Sequence, residues 1–229
     1  MALWSSKLIA RDIIVKPEVS IDLQPDAATV YDLSRYKNNG TITTATWTQL
    51  PGGIWGLSFV STNPDKVTFS SIKAYDLGEE FTLFAWVKPT TLTSTMQIIA
   101  CEDTAVKGYG FYIAADGSFA MYTRDAGGAD TAGSLVGSVT TSRYHYLVVV
   151  HTSGDARFWA DGIDRTNVAT SRNPADPFGN PLYVGVYGNG AANPMNGIIP
   201  YYGIRKYAFT AGQIRSNYEK TKHLFGVHD

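Results

Sequence analysis

Residues 81–89 read Phe-Thr-Leu-Phe-Ala-Trp-Val-Lys-Pro, and this stretch decides the fold class. Its aromatic and β-branched side chains favour the packed, pleated surface of a sheet, so it predicts a strand over residues 81–88. Glu79 and Glu80 precede it and are placed in a turn. Similar short runs, separated by turn-forming residues, continue on both sides of this strand. That pattern is typical of an all-β protein.

The predicted strands outnumber those of one flat sheet, so the pattern predicts two packed antiparallel sheets. No disulfide stabilises them, because Cys101 is the single cysteine. Besides residues 81–88, strands are predicted over residues 20–23, 41–47, 57–59, 66–69, 97–101, 110–114, 118–124, 134–139, 144–151, 156–160, 163–168, 182–186 and 197–207.

Two Asp-Gly pairs mark hairpins. Asp116-Gly117 and Asp161-Gly162 each stand between predicted strands, and Asp-Gly suits the positive φ angles of a tight type I′ turn. In the second hairpin this turn opposes Ala160 to Ile163 and Trp159 to Asp164. Alternation then puts Trp159, Arg157, Asp164 and Thr166 on one face of the hairpin.

One helix is predicted near the end of the chain. Thr210 to Gln213 reads Thr-Ala-Gly-Gln, a capping box, and a short helix follows over residues 211–221. Ile214 and Tyr218, four residues apart, define its buried side.

Charge and hydropathy exclude several classes of protein. Nineteen basic against twenty acidic residues give a net charge of −1, so no positive field attracts nucleic acid or an anionic membrane surface. No apolar run approaches the length of a membrane span, and no secretion signal is recognised in the first residues. We therefore expect no nucleic-acid partner and no membrane insertion.

Several stretches, in this order, resemble the laminin-G-like domains. Residues 31–41 (YDLSRYKNNGT) resemble the opening loop of that family, residues 81–89 its most specific strand, and residues 143–150 (RYHYLVVV) with 158–162 (FWADG) its aromatic-His strand and hairpin. The resemblance covers nearly the whole chain. It implies an all-β, two-sheet antiparallel jelly-roll sandwich (concanavalin A-like) with one short C-terminal helix over residues 20–229. Residues 1–19 then form an N-terminal arm or an extra strand.

The resemblance also implies a structural calcium site, to which Asp32 and Asn39 of the opening loop would contribute. This sequence has Pro200 where the family usually has an aspartate. Calcium takes six to eight oxygen ligands, and proline supplies no side-chain oxygen. We therefore expect no cofactor, with calcium as the alternative.

Two places combine an aromatic ring with polar groups, as proteins that bind sugars do. Trp159 with Arg157 and Asp164 forms one, and Tyr187 with Asn189 in the loop of residues 187–193 forms the other. The alternative is structural: Trp159 packs beneath a crossing loop, and Tyr187 lines the edge of the sandwich.

No catalytic motif is found, so we expect a protein that is not an enzyme. A glycoside hydrolase needs two carboxylates that share a site, and the five glutamates do not alternate along any predicted strand. A serine nucleophile elbow and zinc-ligand spacing are also missing from the sequence.

The resemblance to an adhesive domain, together with the missing signal, predicts a non-enzymatic structural or adhesive protein on the surface of a phage or virus particle, as a capsid decoration or fibre component. Residues 1–19 would join it to its own copies or to a capsid or fibre protein, and its ligands would be cell-surface glycans. The alternative is a free-standing carbohydrate-binding module or lectin, extracellular without a recognisable signal peptide. A glycoside hydrolase is the third reading.

Overall fold

The structure is a computed structural model that describes residues 12–15, 28–103, 107–177, 179–188 and 190–228, of which 12–15 and 103 are described by their backbone alone. The strand predicted over residues 20–23 lies outside these ranges. The strands are β1 (Asp12–Val15), β2 (Thr29–Val30), β3 (Gly40–Thr43), β4 (Thr46–Gln49), β5 (Trp55–Phe59), β6 (Lys66–Phe69), β7 (Glu80–Pro89), β8 (Met96–Asp103), β9 (Lys107–Ile113), β10 (Phe119–Asp125), β11 (Gly128–Ser134), β12 (His145–Thr152), β13 (Asp155–Ala160), β14 (Ile163–Asp164), β15 (Thr166–Val168), β16 (Leu182–Val184) and β17 (Gly197–Arg205).

The strands form two antiparallel sheets. The eight-stranded sheet has the order β14-β13-β12-β7-β17-β5-β4, with β1 paired to β17 beside this path. The nine-stranded sheet has the order β15-β11-β10-β9-β8-β16-β6-β3-β2. This arrangement confirms the predicted two-sheet antiparallel sandwich. One α-helix, α1 (Ala211–Thr221), follows the last strand in the described ranges, as predicted.

Strand β7, which contains the strand predicted over residues 81–88, lies in the middle of the eight-stranded sheet between β12 and β17. Its alternate residues point to opposite faces. Leu83 and Ala85 pack between the sheets, whereas Phe84 and Trp86 pack on the outside of the same sheet. Almost every residue of β7 is buried, because both faces of this strand are covered.

The inner core fills the space between the two sheets. Strands β5 to β13, β16 and β17 contribute alternate apolar side chains to it, so a one-residue shift of register would move these side chains out of the core. The largest side chains of the inner core that are fully buried are Tyr75, Tyr109, Phe59, Phe69, Phe81, Phe111, Phe119 and Phe158.

An outer cluster covers the other face of the eight-stranded sheet. Helix α1 and the 3₁₀ turn Lys222–Phe225 lie over Trp86, whose ring stacks on that of Phe225 at 4.3 Å between centroids. The Trp86 indole donates a hydrogen bond to Thr221 Oγ1 at 3.1 Å. The predicted capping box starts α1: Gln213 N donates to Thr210 Oγ1, and Thr210 N donates to Gln213 Oε1. The buried members of the outer cluster are Leu50, Ile54, Phe84, Trp86, Tyr144, Tyr146, Val148, Val150, Phe209, Ile214, Phe225 and Val227.

Two predicted strands are each divided between the sheets. The strand predicted over residues 41–47 breaks at Thr44, whose φ is +61°, so that β3 joins the nine-stranded sheet and β4 the eight-stranded sheet. The strand predicted over residues 163–168 divides likewise into β14 and β15. The alternation of apolar and polar residues does not show where the chain passes from one sheet to the other, because the residues on both sides of the break are typical of strands.

The strand predicted over residues 134–139 was placed too late in the chain. The structure has β11 over Gly128–Ser134, followed by a turn in which Val136 is 67% exposed and Gly137 has φ +71°. Strand propensities do not indicate β11, because it is rich in glycine and alanine. These small residues leave room for the aromatic rings of the neighbouring strand β10. The predicted strand was extended past Ser134 because Leu135 and Val136, which follow β11, are apolar.

The two Asp-Gly hairpins differ in turn type. In the second, Asp161 and Gly162 have φ of +55° and +77°, and Trp159 opposes Asp164, as predicted. In the first, only Gly117 has positive φ, and its N–H donates to the carbonyl of Ala114. The first turn is therefore a longer one that ends in a glycine bulge, and the type I′ prediction was wrong there.

Strand β1 pairs antiparallel with residues Tyr202 to Arg205 of β17, within the same chain. The rest of residues 1–19 lies outside the described ranges. Among the described residues, no helix combines the length and the apolar character needed to cross a membrane.

Candidate binding site

A cavity opens on the outer face of the nine-stranded sheet, the face that points away from the inner core. Its volume is about 250 Å³. Strands β8 to β11 form its floor, and the segment between β16 and β17 forms one wall. We call it the tyrosine cavity; its lining residues are Thr95, Gln97, Tyr112, Tyr122, Arg124, Ala129, Thr131, Tyr187 and Asn193.

Three tyrosine rings form a continuous aromatic surface in this cavity. The Tyr112 and Tyr122 rings lie 6.2 Å apart at 33°, and those of Tyr122 and Tyr187 lie 5.7 Å apart at 45°. Tyr112 comes from β9, Tyr122 from β10 and Tyr187 from the loop after β16. Such a surface offers apolar contact together with hydroxyl groups.

The glycine at position 110 allows the central ring to lie flat on the sheet. Gly110 opposes Tyr122 across β9 and β10, and a Cβ added at Gly110 would lie 2.2 Å from the Tyr122 ring. Only glycine leaves room for this contact.

A buried ion pair lies beneath the tyrosine cavity. The Arg124 Nε atom is 3.2 Å from Glu102 Oε2, and the side chain of Glu102 is 0% exposed. Gly188 packs against Glu102 from above, since a Cβ there would lie 2.3 Å from Glu102 Cγ. Burial raises the pKa of Glu102, while the nearby hydroxyls of Tyr187 and Tyr122 and the charge of Arg124 act in the opposite direction.

Unused hydrogen-bonding capacity is concentrated at this cavity. Eleven buried side-chain atoms of the described residues have no hydrogen bond. Five of them lie at or beneath this cavity: Glu102 and Arg124 hold each other as the ion pair and the Tyr122 hydroxyl faces Glu102, which leaves Gln97 Oε1 with neither a hydrogen bond nor an ion pair. Buried polar atoms are normally hydrogen-bonded, so the unpaired Gln97 Oε1 beside the ion pair indicates a place for water or a polar ligand.

The loop that holds Tyr187 is fixed by its own contacts. Tyr187 N donates to the Ala192 carbonyl at 2.8 Å, Gly190 N donates to the Tyr187 carbonyl at 2.7 Å, and Lys66 Nζ donates to the Gly190 carbonyl at 2.7 Å. Arg124 Nη2 donates to the Tyr187 hydroxyl at 3.0 Å. The predicted ligand-binding residue Tyr187 therefore faces the cavity. Asn189, predicted with it, lies outside the described residues.

Sequence reasoning missed most of this cavity. Tyr112, Tyr122 and Arg124 lie on two strands that were predicted, and alternation puts them on the face opposite Phe111 and Met121. The same reasoning that singled out Trp159 would have found them. Glu102 gave no such signal, because its pairing with Arg124 depends on the register of three strands.

The other predicted group lies on the opposite side of the sandwich. Trp159 is half-buried against the outer cluster, which supports its structural reading. Exposed Arg157 pairs with Asp155 at 3.5 Å rather than with Asp164. The Asp164 carboxylate accepts hydrogen bonds from Thr166 N and Oγ1, at 2.9 and 2.7 Å.

The opening loop uses its polar oxygens internally. The carboxylate of Asp32, 1% exposed, accepts hydrogen bonds from Ser34 N, Ser34 Oγ and Asn38 N at 2.8, 2.8 and 2.9 Å. Asn39 Oδ1 accepts one from Asp32 N at 3.0 Å. As arranged, these oxygens face N–H and O–H donors, so they do not fit a calcium ion. Within the described ranges no three His, Cys, Asp or Glu side chains are grouped to hold a metal.

The solved structures with a similar fold include binding domains, two of them from botulinum neurotoxins. The binding domain of botulinum neurotoxin serotype D superposes with a TM-score of 0.66 at 12% identity, over 92% of this chain and 52% of that one. The receptor-binding domain of botulinum neurotoxin type G gives 0.63 at 11% identity, over 93% and 51%. The binding domain of Paraclostridial Mosquitocidal Protein 1 gives 0.68 at 11% identity, over 92% and 52%. This chain thus spans about half the length of the structures that it matches.

The sequence comparisons support the same fold. No curated protein matches this sequence. A family model does match residues 61–215, more than half of the 229 residues. The matched part runs from β6 to the first turns of α1 and includes every strand beneath the tyrosine cavity. The chain therefore belongs to the Laminin_G_3 family of the concanavalin A-like lectin/glucanases superfamily.

Proposed function

We propose that this chain is a binding domain that takes a glycan in the tyrosine cavity. The observation that carries the proposal is the coincidence of three adjoining tyrosine rings with the unpaired Gln97 Oε1 and the Arg124–Glu102 pair. A sugar ring has an apolar C–H face and a rim of hydroxyls. The rings of Tyr112, Tyr122 and Tyr187 match the apolar face, and Gln97 Oε1 with the tyrosine hydroxyls matches the hydroxyls.

The size of the cavity limits what it accepts. Its volume of about 250 Å³ is below the range of about 300–1,000 Å³ that is usual for drug-sized ligands. A single sugar ring, such as the terminal residue of a glycan chain, suits this volume, and the rest of the chain would extend into solvent.

The structural neighbours support a role in binding. All three are binding domains, and one of them is a receptor-binding domain. This chain spans only half of each of them, so the activity of those whole domains comes to this chain as a proposal, not as a consequence of the shared fold. We propose that the glycan belongs to a cell-surface receptor.

We further propose that the bound glycan is not cleaved. Glycoside hydrolysis normally needs two carboxylates on either side of the scissile bond. Among the described residues, no carboxylate lines the tyrosine cavity, and that of Glu102 beneath it is paired with Arg124 and covered by Gly188.

A glycan array followed by titration calorimetry tests the proposal. Tyr112→Ala removes one ring from the cavity, and we expect affinity for the best array ligand to fall by about ten-fold or more, since hot-spot aromatics commonly contribute that much. Tyr31→Ala is the matched control, because Tyr31 is 41% exposed and belongs to the opening-loop region, away from the cavity. We expect it to bind as the unmodified protein does.

The remaining outcomes separate the two predicted surfaces. If Trp159→Ala lowers affinity and Tyr112→Ala does not, the ligand binds on the eight-stranded sheet and the cavity is not the site. If no glycan on the array binds, the proposed function is wrong.

A place on the surface of a phage or virus particle, with residues 1–19 joining neighbouring copies, stays a prediction. Light scattering on the full chain and on a version without residues 1–19 tests it. A multimer that becomes a monomer without the arm supports the assembly role, and a monomer in both cases contradicts self-association through the arm.

A further inference from the structure

We infer that the tyrosine cavity selects uncharged sugar rings and rejects acidic ones, because Glu102 already neutralises the cation that an acidic sugar would bind. The inference rests on the proposed function, since it names the class of glycan for that same site. Acidic rings here are sialic and uronic acids, which carry a carboxylate, and their uncharged counterparts are hexoses and N-acetylhexosamines.

The charge of the cavity comes from one pair. Arg124 is the only charged side chain among the described residues that line it, and its side chain is 23% exposed. Its partner Glu102 lies 3.2 Å away and is fully buried, so water does not screen the pair from below. To a ligand in the cavity the two charges act as one nearly neutral group.

The guanidinium of Arg124 is also held by its other neighbours. Nη2 donates to the Tyr187 hydroxyl at 3.0 Å, and the guanidinium carbon lies 5.4 Å from the centre of the Tyr122 ring. These contacts fix Arg124 toward Glu102 and the tyrosines. A ligand carboxylate would have to share this guanidinium with Glu102, and two carboxylates on one cation repel each other at short range.

The other cations near the cavity are engaged elsewhere. Arg172 pairs with both Asp125 and Asp130, each at 3.2 Å, and Asp130 lies on β11 between the lining residues Ala129 and Thr131, so alternation puts it on the opposite face of the sheet. Lys66 donates to the Gly190 carbonyl at 2.7 Å on the far side of the loop. No second positive charge in the described part of the chain lines the cavity to attract an acidic sugar.

Uncharged rings meet no such obstacle. Their hydroxyls donate to the unpaired Gln97 Oε1 and exchange hydrogen bonds with the Tyr122 hydroxyl, directly or through water. Neither contact needs a charge on the ligand, so a neutral ring can form both of them.

The test compares matched glycans on three proteins. Lactose and 3′-sialyllactose, and cellobiose and cellobiouronic acid, are titrated into the unmodified chain, Glu102→Gln and the double variant Glu102→Gln/Arg124→Gln. A glycan array with further neutral and acidic pairs accompanies them. Thermal unfolding of each protein shows that it is folded at the temperature of the titration.

For the unmodified chain we expect neutral members to bind at least about ten-fold more tightly than acidic ones. Glu102→Gln leaves Arg124 unneutralised, so affinity for acidic members should rise by about ten-fold, and the double variant should lose that gain. If the single variant does not fold, the comparison of neutral with acidic members on the unmodified chain still decides, because equal affinity for the two overturns the inference.

The outcomes distinguish this inference from the proposed function. Acidic members that bind the unmodified chain as tightly as the neutral ones overturn the inference alone. Equal selectivity in all three proteins also overturns it, because the pair would then not set the choice. A chain that binds no glycan of either kind overturns the proposed function and this inference with it.

Discussion

His145 Nδ1 donates a hydrogen bond to Asp161 Oδ2 at 2.9 Å. The direction follows from the other ring nitrogen: the backbone N–H of Thr140, which can only donate, lies 3.1 Å from His145 Nε2. Asp161 also accepts hydrogen bonds from Arg143 Nη2 at 2.7 Å and from Tyr146 N at 2.9 Å. One turn aspartate thus fixes the start of β12, and His145 has a structural role in the sheet.

Asp161→Ala should therefore cost much more stability than the same change in the other Asp-Gly hairpin. We expect a loss of about 3 kcal/mol, because the change leaves His145, Arg143 and Tyr146 N without their acceptor. Asp116→Ala is the control, since Asp116 is exposed and its carboxylate bonds only within its turn, to Ser118. We expect it to cost about 1 kcal/mol or less. Urea unfolding measures both, and equal losses would contradict the role of Asp161.

The fold was predictable because local signals agreed with one another. Residues 81–89 are apolar on both faces of a strand, and the capping box at Thr210 supplies the helix that covers the outer face. Asp161-Gly162 sets the register of its hairpin by turn geometry alone. Each of these signals is contained within a few neighbouring residues.

What could not be predicted depends on contacts between distant residues. Thr44 has no property that marks it as the corner between two sheets; its positive φ results from where β3 and β4 pack. The pairing of Glu102 with Arg124 needs the register of β8, β9 and β10, which the sequence does not state. Tyr187 could be placed in a candidate site from the sequence because it stands beside glycines in a loop, where function is commonly located.

Burial of His151 should make stability depend on pH. Its ring is stacked on Phe81 and its two nitrogens face the carbonyls of Glu79 and Arg172, at 2.9 and 3.0 Å. Desolvation lowers the pKa of His151 below the usual 6.5. The two carbonyls and the charge of Asp155 act in the opposite direction, but their effect is smaller. Because the folded pKa is the lower one, the stabilising contribution is fully present above pH 6.5 and is lost as pH falls toward the folded pKa.

The free energy of unfolding should thus decrease between pH 7.5 and 5.5, with a contribution from His151 of at most about 1.4 kcal/mol per pH unit. His151→Gln should reduce this slope, whatever it does to stability itself. His223→Gln, at an exposed position in the C-terminal turn, is the control and should leave the slope unchanged. The same slope in all three proteins would show that His151 does not titrate in this range.

Cys101 should be inert in the folded protein. Its side chain is buried in β8, and burial raises the pKa of the thiol to about 12. The thiolate, which is the reactive form, is then scarcely populated at pH 8. A disulfide reagent such as Ellman's reagent should modify no thiol in the native protein and one per chain in urea. Rapid modification under native conditions would mean that this strand opens.

Gly110 should be required for the tyrosine cavity. Since a Cβ at this position would lie 2.2 Å from the Tyr122 ring, Gly110→Ala must tilt Tyr122 away from the sheet and separate it from Tyr112 and Tyr187. We expect glycan affinity to fall by about ten-fold or more and stability to fall by about 1–3 kcal/mol, the usual cost of overpacking.

Gly133→Ala is the matched control for Gly110→Ala, because it adds the same methyl group to the same face of the same sheet. There the nearest atom, Ala120 Cβ, is 3.4 Å away, an ordinary contact distance. Glycan affinity should therefore not change, and stability should change by no more than about 0.5 kcal/mol. Calorimetric titration with the best array ligand measures both variants. If Gly110→Ala binds as tightly as Gly133→Ala, the orientation of Tyr122 does not matter, and the ligand is not stacked on that ring.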